Sequence, residues 1–147
     1  MNTSISTLLE GKGRTVCTVP VSVTVAEAVA EMNRHKIGSI VVMNGTTLAG
    51  IFTERDVLTR VVAASLDPKT TPITAVMSGN VLTIAPTATV QQVMDIFAER
   101  RCRHLPVVEA GQLRGLISIG DVSRWVANAH RAEAESLRQY ISGGLST

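Results

Sequence analysis

Apolar residues recur along this chain with two periods, and the places where one period replaces the other mark out its elements. Ile5, Leu8 and Leu9 fall at helical spacing, which predicts a short lead-in helix across Ser4 to Gly11. Val16 to Val19 is a short apolar run suited to a strand, closed by Pro20. Next comes Thr24-Val25-Ala26-Glu27, a capping-box sequence in which hydroxyl and carboxylate each satisfy a free backbone N–H. Val25, Ala28, Val29 and Met32 then follow at i, i+3, i+4 and i+7, so this helix buries one face. Ser39 to Met43 is β-branched and strand-like, Asn44-Gly45 signals a hairpin turn, and Leu48 to Phe52 supplies the returning strand. From Thr53 the period changes again, and Val57, Leu58, Val61 and Val62 describe a second helix. The unit is strand, helix, strand, strand, helix.

The unit occurs twice. Gly50-Ile51-Phe52-Thr53-Glu54-Arg55-Asp56-Val57 returns as Gly115-Leu116-Ile117-Ser118-Ile119-Gly120-Asp121-Val122, an offset of 65 residues. At that offset Thr18 meets Thr83, Thr24 meets Thr89, Val42 meets Val107 and Leu48 meets Leu113. Between the copies, Asp67-Pro68-Lys69-Thr70-Thr71-Pro72 is a turn-rich connector. Beyond it, Ile73, Val76 and Met77 echo the lead-in, Val81 to Ile84 the first strand, and Thr89 with Gln92 the capping box. Arg103 to Val108, a turn at Ala110-Gly111 and Leu113 to Ile119 repeat the hairpin, and a last helix runs from near Ser118 towards Tyr140. Pro106 stands where the first copy has Val41, which removes a strand donor and predicts an edge or irregular position. A period this long exceeds that of solenoid repeats, and one copy is too small for a comfortable core of its own. The expectation is a duplicated α/β (α+β) domain folded against itself, with units 1–66 and 67–126 and a helical extension over 127–147.

Composition narrows the function classes. Of 147 residues, 45% are hydrophobic and 18% charged, which supports a packed interior, while 3% aromatic content leaves aliphatic residues to fill it. A formal net charge of +2 is too mild to imply nucleic acid. No apolar run is long enough to span a bilayer, the N-terminal stretch is polar, and Cys17 with Cys102 makes neither a disulfide framework nor a zinc site. These features predict a cytoplasmic protein.

The polar residues that repeat are a hydroxyl and, three residues on, an aspartate at each strand-to-helix turn: Thr53 with Asp56, and Ser118 with Asp121. One reading is another pair of caps. The other is a ligand grip, since a helix start favours an anion, a hydroxyl there can donate to phosphate, and an ionised carboxylate can accept from ribose hydroxyls. Both roles can coexist. Arg100-Arg101-Cys102-Arg103-His104 is a basic cluster matching His35-Lys36-Ile37-Gly38-Ser39 of copy one. Arg100 and Arg101 are explained by the negative end of a helix dipole, whereas Arg103 and His104 stand where a core strand begins and suit phosphate contact. Cys102 corresponds to Ile37, which favours a buried apolar role over that of a nucleophile. No paired carboxylates, nucleophile-base arrangement or metal-ligand spacing is present, so no catalysis is expected.

With these residues in view, the chain resembles a tandem pair of CBS domains, the cystathionine-β-synthase-type modules that often sense adenine nucleotides, and in particular small stand-alone bacterial members. The resemblance runs from Ile5 to Val126 and rests on the doubled Gly-x-x-[Thr/Ser]-x-x-Asp, the element order and the Val76-Met77 lead-in. It implies two copies packed about a pseudo-twofold axis with two clefts between them. Asp56 and Asp121 would hold ribose, and Thr53 and Ser118 phosphate or ribose. Arg103 and His104 would take phosphate, and the backbone around Thr18, Pro20, Thr83 and Ala85 would line the base pockets. Copy one has Gly38-Ser39 in place of Arg103-His104, so the two clefts should differ in anion affinity. The implied function is a non-catalytic regulator of the AMP, ATP, NAD or S-adenosylmethionine ligand class. It would need no cofactor, bind neither nucleic acid nor membrane, form a homodimer and act on an enzyme or transporter. Val57, Leu58 and Val61, with Val122, Trp125 and Val126, are the candidate dimer surfaces. The rival readings are a dimerising scaffold with empty clefts, a small enzyme using Cys102 with His104, and a nucleic-acid binder using the arginines.

Overall fold

A computed structural model describes residues 2–13 and 16–145, with side-chain surroundings to Ile141. Helix α1 (Ile5–Lys12) leads into β1 (Thr18–Pro20), α2 (Val25–His35) and the hairpin of β2 (Ser39–Asn44) and β3 (Thr47–Thr53). A single turn, α3 (Glu54–Asp56), continues as a π-helix over Val57–Val62. After a 3-10 turn at Ile73–Ala75 come α4 (Val90–Arg100), the hairpin of β4 (His104–Glu109) and β5 (Gln112–Ser118), and α5 (Ile119–Leu145). The capping boxes read from the sequence are formed: Thr24 with Glu27 at α2, and Thr89 with Gln92 at α4. The turn of the first hairpin is Gly45-Thr46, one residue beyond the Asn44-Gly45 signal, with Gly45 at φ +62°.

Two expected elements differ. In copy one β1 pairs in parallel with β2, and Val41 donates to the Cys17 carbonyl at 3.4 Å. The corresponding donor in copy two would be Pro106, which has no N–H. The strand expected at Val81 to Ile84 accordingly shrinks to one bridge between Ile84 and Val107, and copy two keeps a two-stranded sheet, β4-β5. The second helix of copy one is wound i→i+5, as in Ala63 to Leu58 and Leu66 to Val61. That winding turns Val61 into the core and leaves Leu58 and Val62 65% and 64% exposed.

The core has two parts, and each lead-in belongs to the opposite copy. Ile5, Leu8 and Leu9 of α1 pack with Val90, Val93, Leu105, Val107 and Ile117 of copy two. Ile73 and Val76, which precede copy two, pack with Val25, Ile40, Val42 and Phe52 of copy one. Backbone bonds fix both exchanges: Ile5 to Ala88 and Val90 to Thr3 on one side, Ile73 to Val23 and Val25 to Thr71 on the other. The repeated glycines explain themselves here. A Cβ on Gly115 would lie 2.5 Å from Leu9 Cδ2, and one on Gly50 would lie 2.6 Å from the Ser78 carbonyl oxygen and 2.7 Å from Met77 Sδ. Backbone cannot yield as a leucine tip can. Gly50→Ala is therefore expected to lower stability by about 1–3 kcal/mol and by more than Gly115→Ala, as measured by urea denaturation.

Candidate functional site

The β3–α3 turn of copy one and the α4–β4 turn of copy two meet around a cleft of about 730 Å³, within the size range of small-molecule sites. Its lining comes from both copies. Copy one supplies Gly38, Ile51, Thr53, Glu54, Arg55 and Asp56; Ser78, Asn80, Val81 and Leu82 follow from the connecting segment; copy two supplies Arg100, Arg101, Cys102, Arg103, His104 and Leu105. Ile51, Val81, Leu82 and Leu105 give it an apolar wall that suits a flat base. Glu54 lies against Gly38, where a Cβ would stand 3.2 Å from its carboxyl carbon, and its amide donates to the Gly38 carbonyl at 3.0 Å.

At the copy-one side, Thr53 and Asp56 form a reciprocal cap. The Thr53 amide donates to Asp56 Oδ2 at 3.0 Å, and the Asp56 amide to Thr53 Oγ1 at 3.2 Å. Asp56 is buried, yet among the described residues its Oδ1 has only the Arg60 guanidinium, 3.6 Å away. One carboxylate oxygen is thus committed to the backbone and the other is nearly free to accept. The cap and the ligand grip are compatible in this geometry.

The copy-two side has the same cap and a different outcome. The Ser118 amide donates to Asp121 Oδ2 at 2.8 Å, and the Asp121 amide to Ser118 Oγ at 3.1 Å. Lys12 Nζ, from the end of α1, also donates to Oδ2 at 2.6 Å and to the Leu116 carbonyl at 2.7 Å. Arg124 takes Oδ1 at 2.6 Å. Burial by itself would push the Asp121 carboxyl up, but the Lys12 ammonium and the Ser118 amide and hydroxyl outweigh it and hold it below the usual range. Both oxygens of Asp121 are occupied by cations. The asymmetry has a visible source: Lys12 lies three residues after Leu9, which covers Gly115, and Asn80 lies three residues after Met77, which covers Gly50. Where copy two has an ammonium on its aspartate, copy one has Asn80, a neutral residue in the lining of the same cleft as Asp56.

Of the residues singled out in the sequence, Gly38, Thr53, Asp56, Arg103 and His104 share the cleft, with Ser39 buried just beside it. Ser118 and Asp121 sit with Lys12. Thr18, Pro20 and Ala85 are exposed and lie outside the cleft lining, and Thr83 borders a separate depression of about 260 Å³. Sequence reasoning missed Lys12, Arg55 and Asn80 and assigned Arg100 and Arg101 to the helix end alone.

His104 is pushed below its ordinary value, first by burial and then by the Lys12 and Arg103 cations, with Asp121 opposing. Its imidazole is neutral at pH 7 and keeps one N–H to donate. The unfolded chain gains this proton more readily than the folded one, so stability contributed by His104 is complete above about pH 6.5 and is lost as pH falls through the folded value. His104→Gln is expected to flatten the decline in urea midpoint between pH 7 and pH 5. Burial likewise pushes the Cys102 thiol up, against the smaller effects of its own backbone bond and Arg100, which leaves it unactivated.

Comparison with known proteins bears on this arrangement. The family model described as CBS domain matches residues 14–63 and 73–128. The chain is 34% identical over 154 aligned positions to the mitochondrial CBS domain-containing protein CBSX3 of Arabidopsis thaliana, covering 97% of this chain and 74% of that protein. Its fold is similar to that of the CBS-domain containing protein ATU1752 from Agrobacterium tumefaciens, with TM-score 0.78, 39% identity and coverage of 83% and 98%. It is also similar to the CBS domain protein PAE2072 from Pyrobaculum aerophilum, a structure complexed with AMP, with TM-score 0.73, 28% identity and coverage of 81% and 89%.

Proposed function

Since this chain belongs to the CBS-domain family, with two copies of the domain, we propose that it is a non-catalytic regulatory module that binds an adenine nucleotide in the cleft beside Asp56. The observation that carries the reading is the half-committed Asp56 carboxylate at a cleft lined by both apolar side chains and guanidinium groups. The base lies along Ile51, Val81 and Leu82, the ribose hydroxyls donate to Asp56 Oδ1, Thr53 helps to hold ribose or phosphate, and Arg103 with His104 receives phosphate. The complex of a related protein with AMP supports this ligand class. Ser118 and Asp121 form a second, latent site held by Lys12.

The functional units are 1–66, 67–126 and the extension 127–147, with α1 lent to copy two. We place the protein in the cytoplasm as a homodimer that acts on an enzyme or transporter. Among the described residues, no helix is long and apolar enough to cross a membrane. Of the surfaces suggested for dimerisation, Val61 and Val122 are buried in the core, so the contact falls to Leu58, Val62 and the groove between α4 and α5 lined by Met94, Phe97, Ile119 and Val126.

A ligand that binds only the folded chain stabilises it by mass action. At a hundredfold excess over Kd, an adenine nucleotide is expected to raise Tm by roughly 5–10 °C, in a thermal-shift panel of AMP, ATP, NAD and S-adenosylmethionine. A protein that is dimeric by light scattering and shifts with none of them is a scaffold.

A further inference from the structure

We infer that the cleft is built for a nucleotide carrying more than one phosphate, whose tail crosses from copy one to the arginines of copy two. This rests on the adenine-nucleotide reading and deepens it. Four arginines line the cleft: Arg55 from α3, and Arg100, Arg101 and Arg103 from the end of α4 and the turn into β4. Among the described residues none of the four makes an ion pair, although carboxylates pair with Arg34, Arg60, Arg114 and Arg124 elsewhere. A helix C-terminus accounts for cations at Arg100 and Arg101. It does not account for Arg55, which reaches the same cleft from the opposite copy.

The charges decide the ligand class. Asp56 has Arg60 beside it, which leaves Glu54 as the one other carboxylate that shares the lining with the four guanidinium groups among the described residues. A phosphate monoester carries about 1.5 to 2 negative charges at pH 7, and each further phosphoryl unit adds about one. One monophosphate thus leaves part of the positive charge unmatched, whereas a di- or triphosphate matches it. Planar guanidinium forks also bind successive phosphoryl oxygens bidentately, which an ammonium cannot do. In copy one the positions of Arg100, Arg101 and Arg103 are filled by His35, Lys36 and Gly38, so the feature belongs to one cleft.

The test is titration calorimetry with AMP, ADP and ATP in the presence of a chelator, on wild type and on the double variant Arg100→Gln, Arg101→Gln. Both side chains are exposed, and unchanged thermal unfolding verifies that the variant folds. Wild-type affinity is expected to rise at least tenfold from AMP to ATP. In the variant that ratio falls to about threefold or less while AMP affinity holds, as expected for charge-assisted bonds made only by the tail. AMP binding as tightly as ATP to wild type, or a variant that loses both in equal proportion, overturns the inference and leaves nucleotide binding standing. Failure of all three ligands to bind removes both.

Discussion

Asp56→Asn is expected to weaken adenine-nucleotide binding by about tenfold to a hundredfold while the protein stays folded. The number follows from losing charge-assisted acceptance of ribose hydroxyls, worth about 1.5–3 kcal/mol, with about 1.4 kcal/mol to each factor of ten. The substitution separates the two jobs of this carboxylate. Asparagine retains an oxygen to accept the Thr53 amide, now at 3.0 Å, so the cap survives. Asp56→Ala removes both and is expected to cost about 1 kcal/mol of stability besides. Calorimetric titration beside urea denaturation reads the two effects independently. Equal destabilisation with unchanged binding would return the residue to capping alone.

The second large effect is a change in stoichiometry. Lys12→Asn gives copy two the residue type that copy one has at Asn80. It frees Asp121 Oδ2 of its ammonium and leaves the Ser118 cap in place; joined to Arg124→Gln, which frees Oδ1, it gives Asp121 the half-committed carboxylate that Asp56 has. Wild type is expected to bind one nucleotide per chain, and the double variant two. Lys12 is 39% exposed, so solvent screens the pair and its loss costs at most about 1 kcal/mol. The mirror exchange, Asn80→Lys, is expected to weaken binding at Asp56 by supplying the ammonium there. A double variant that still binds one nucleotide would mean that Lys12 and Arg124 do not govern the second site.

The sequence announced the duplication, the hairpins and the capping boxes because each is a local pattern with a fixed spacing. Thr53-Asp56 and Ser118-Asp121 were visible as caps and grips alike, but nothing local separated them. That difference depends on Lys12, which is distant in sequence and arrives only because α1 packs on the opposite copy. The exchange of lead-ins is a matter of long-range packing, and Leu9 and Met77 show the same apolar character wherever they dock. Pro106 was legible as an irregularity. Its consequence falls on the neighbouring segment, Val81 to Ile84, which loses a donor it cannot replace. The π-winding of Val57–Val62 shares its apolar spacing with an ordinary helix, so periodicity could not reveal the outward turn of Leu58 and Val62. Arg100 and Arg101 read as the cationic end of a helix, Arg55 is ambiguous by sequence because copy two has Gly120 there, and their convergence from two copies is a property of the fold.

A crystal structure of the protein with bound ATP tests the central claim most directly. The expected density is one nucleotide in the cleft of Thr53 and Asp56, its ribose hydroxyls on Asp56 Oδ1 and its phosphates among Arg100, Arg101 and Arg103. Saturating nucleotide with that cleft vacant, or density that bypasses Asp56, would contradict it.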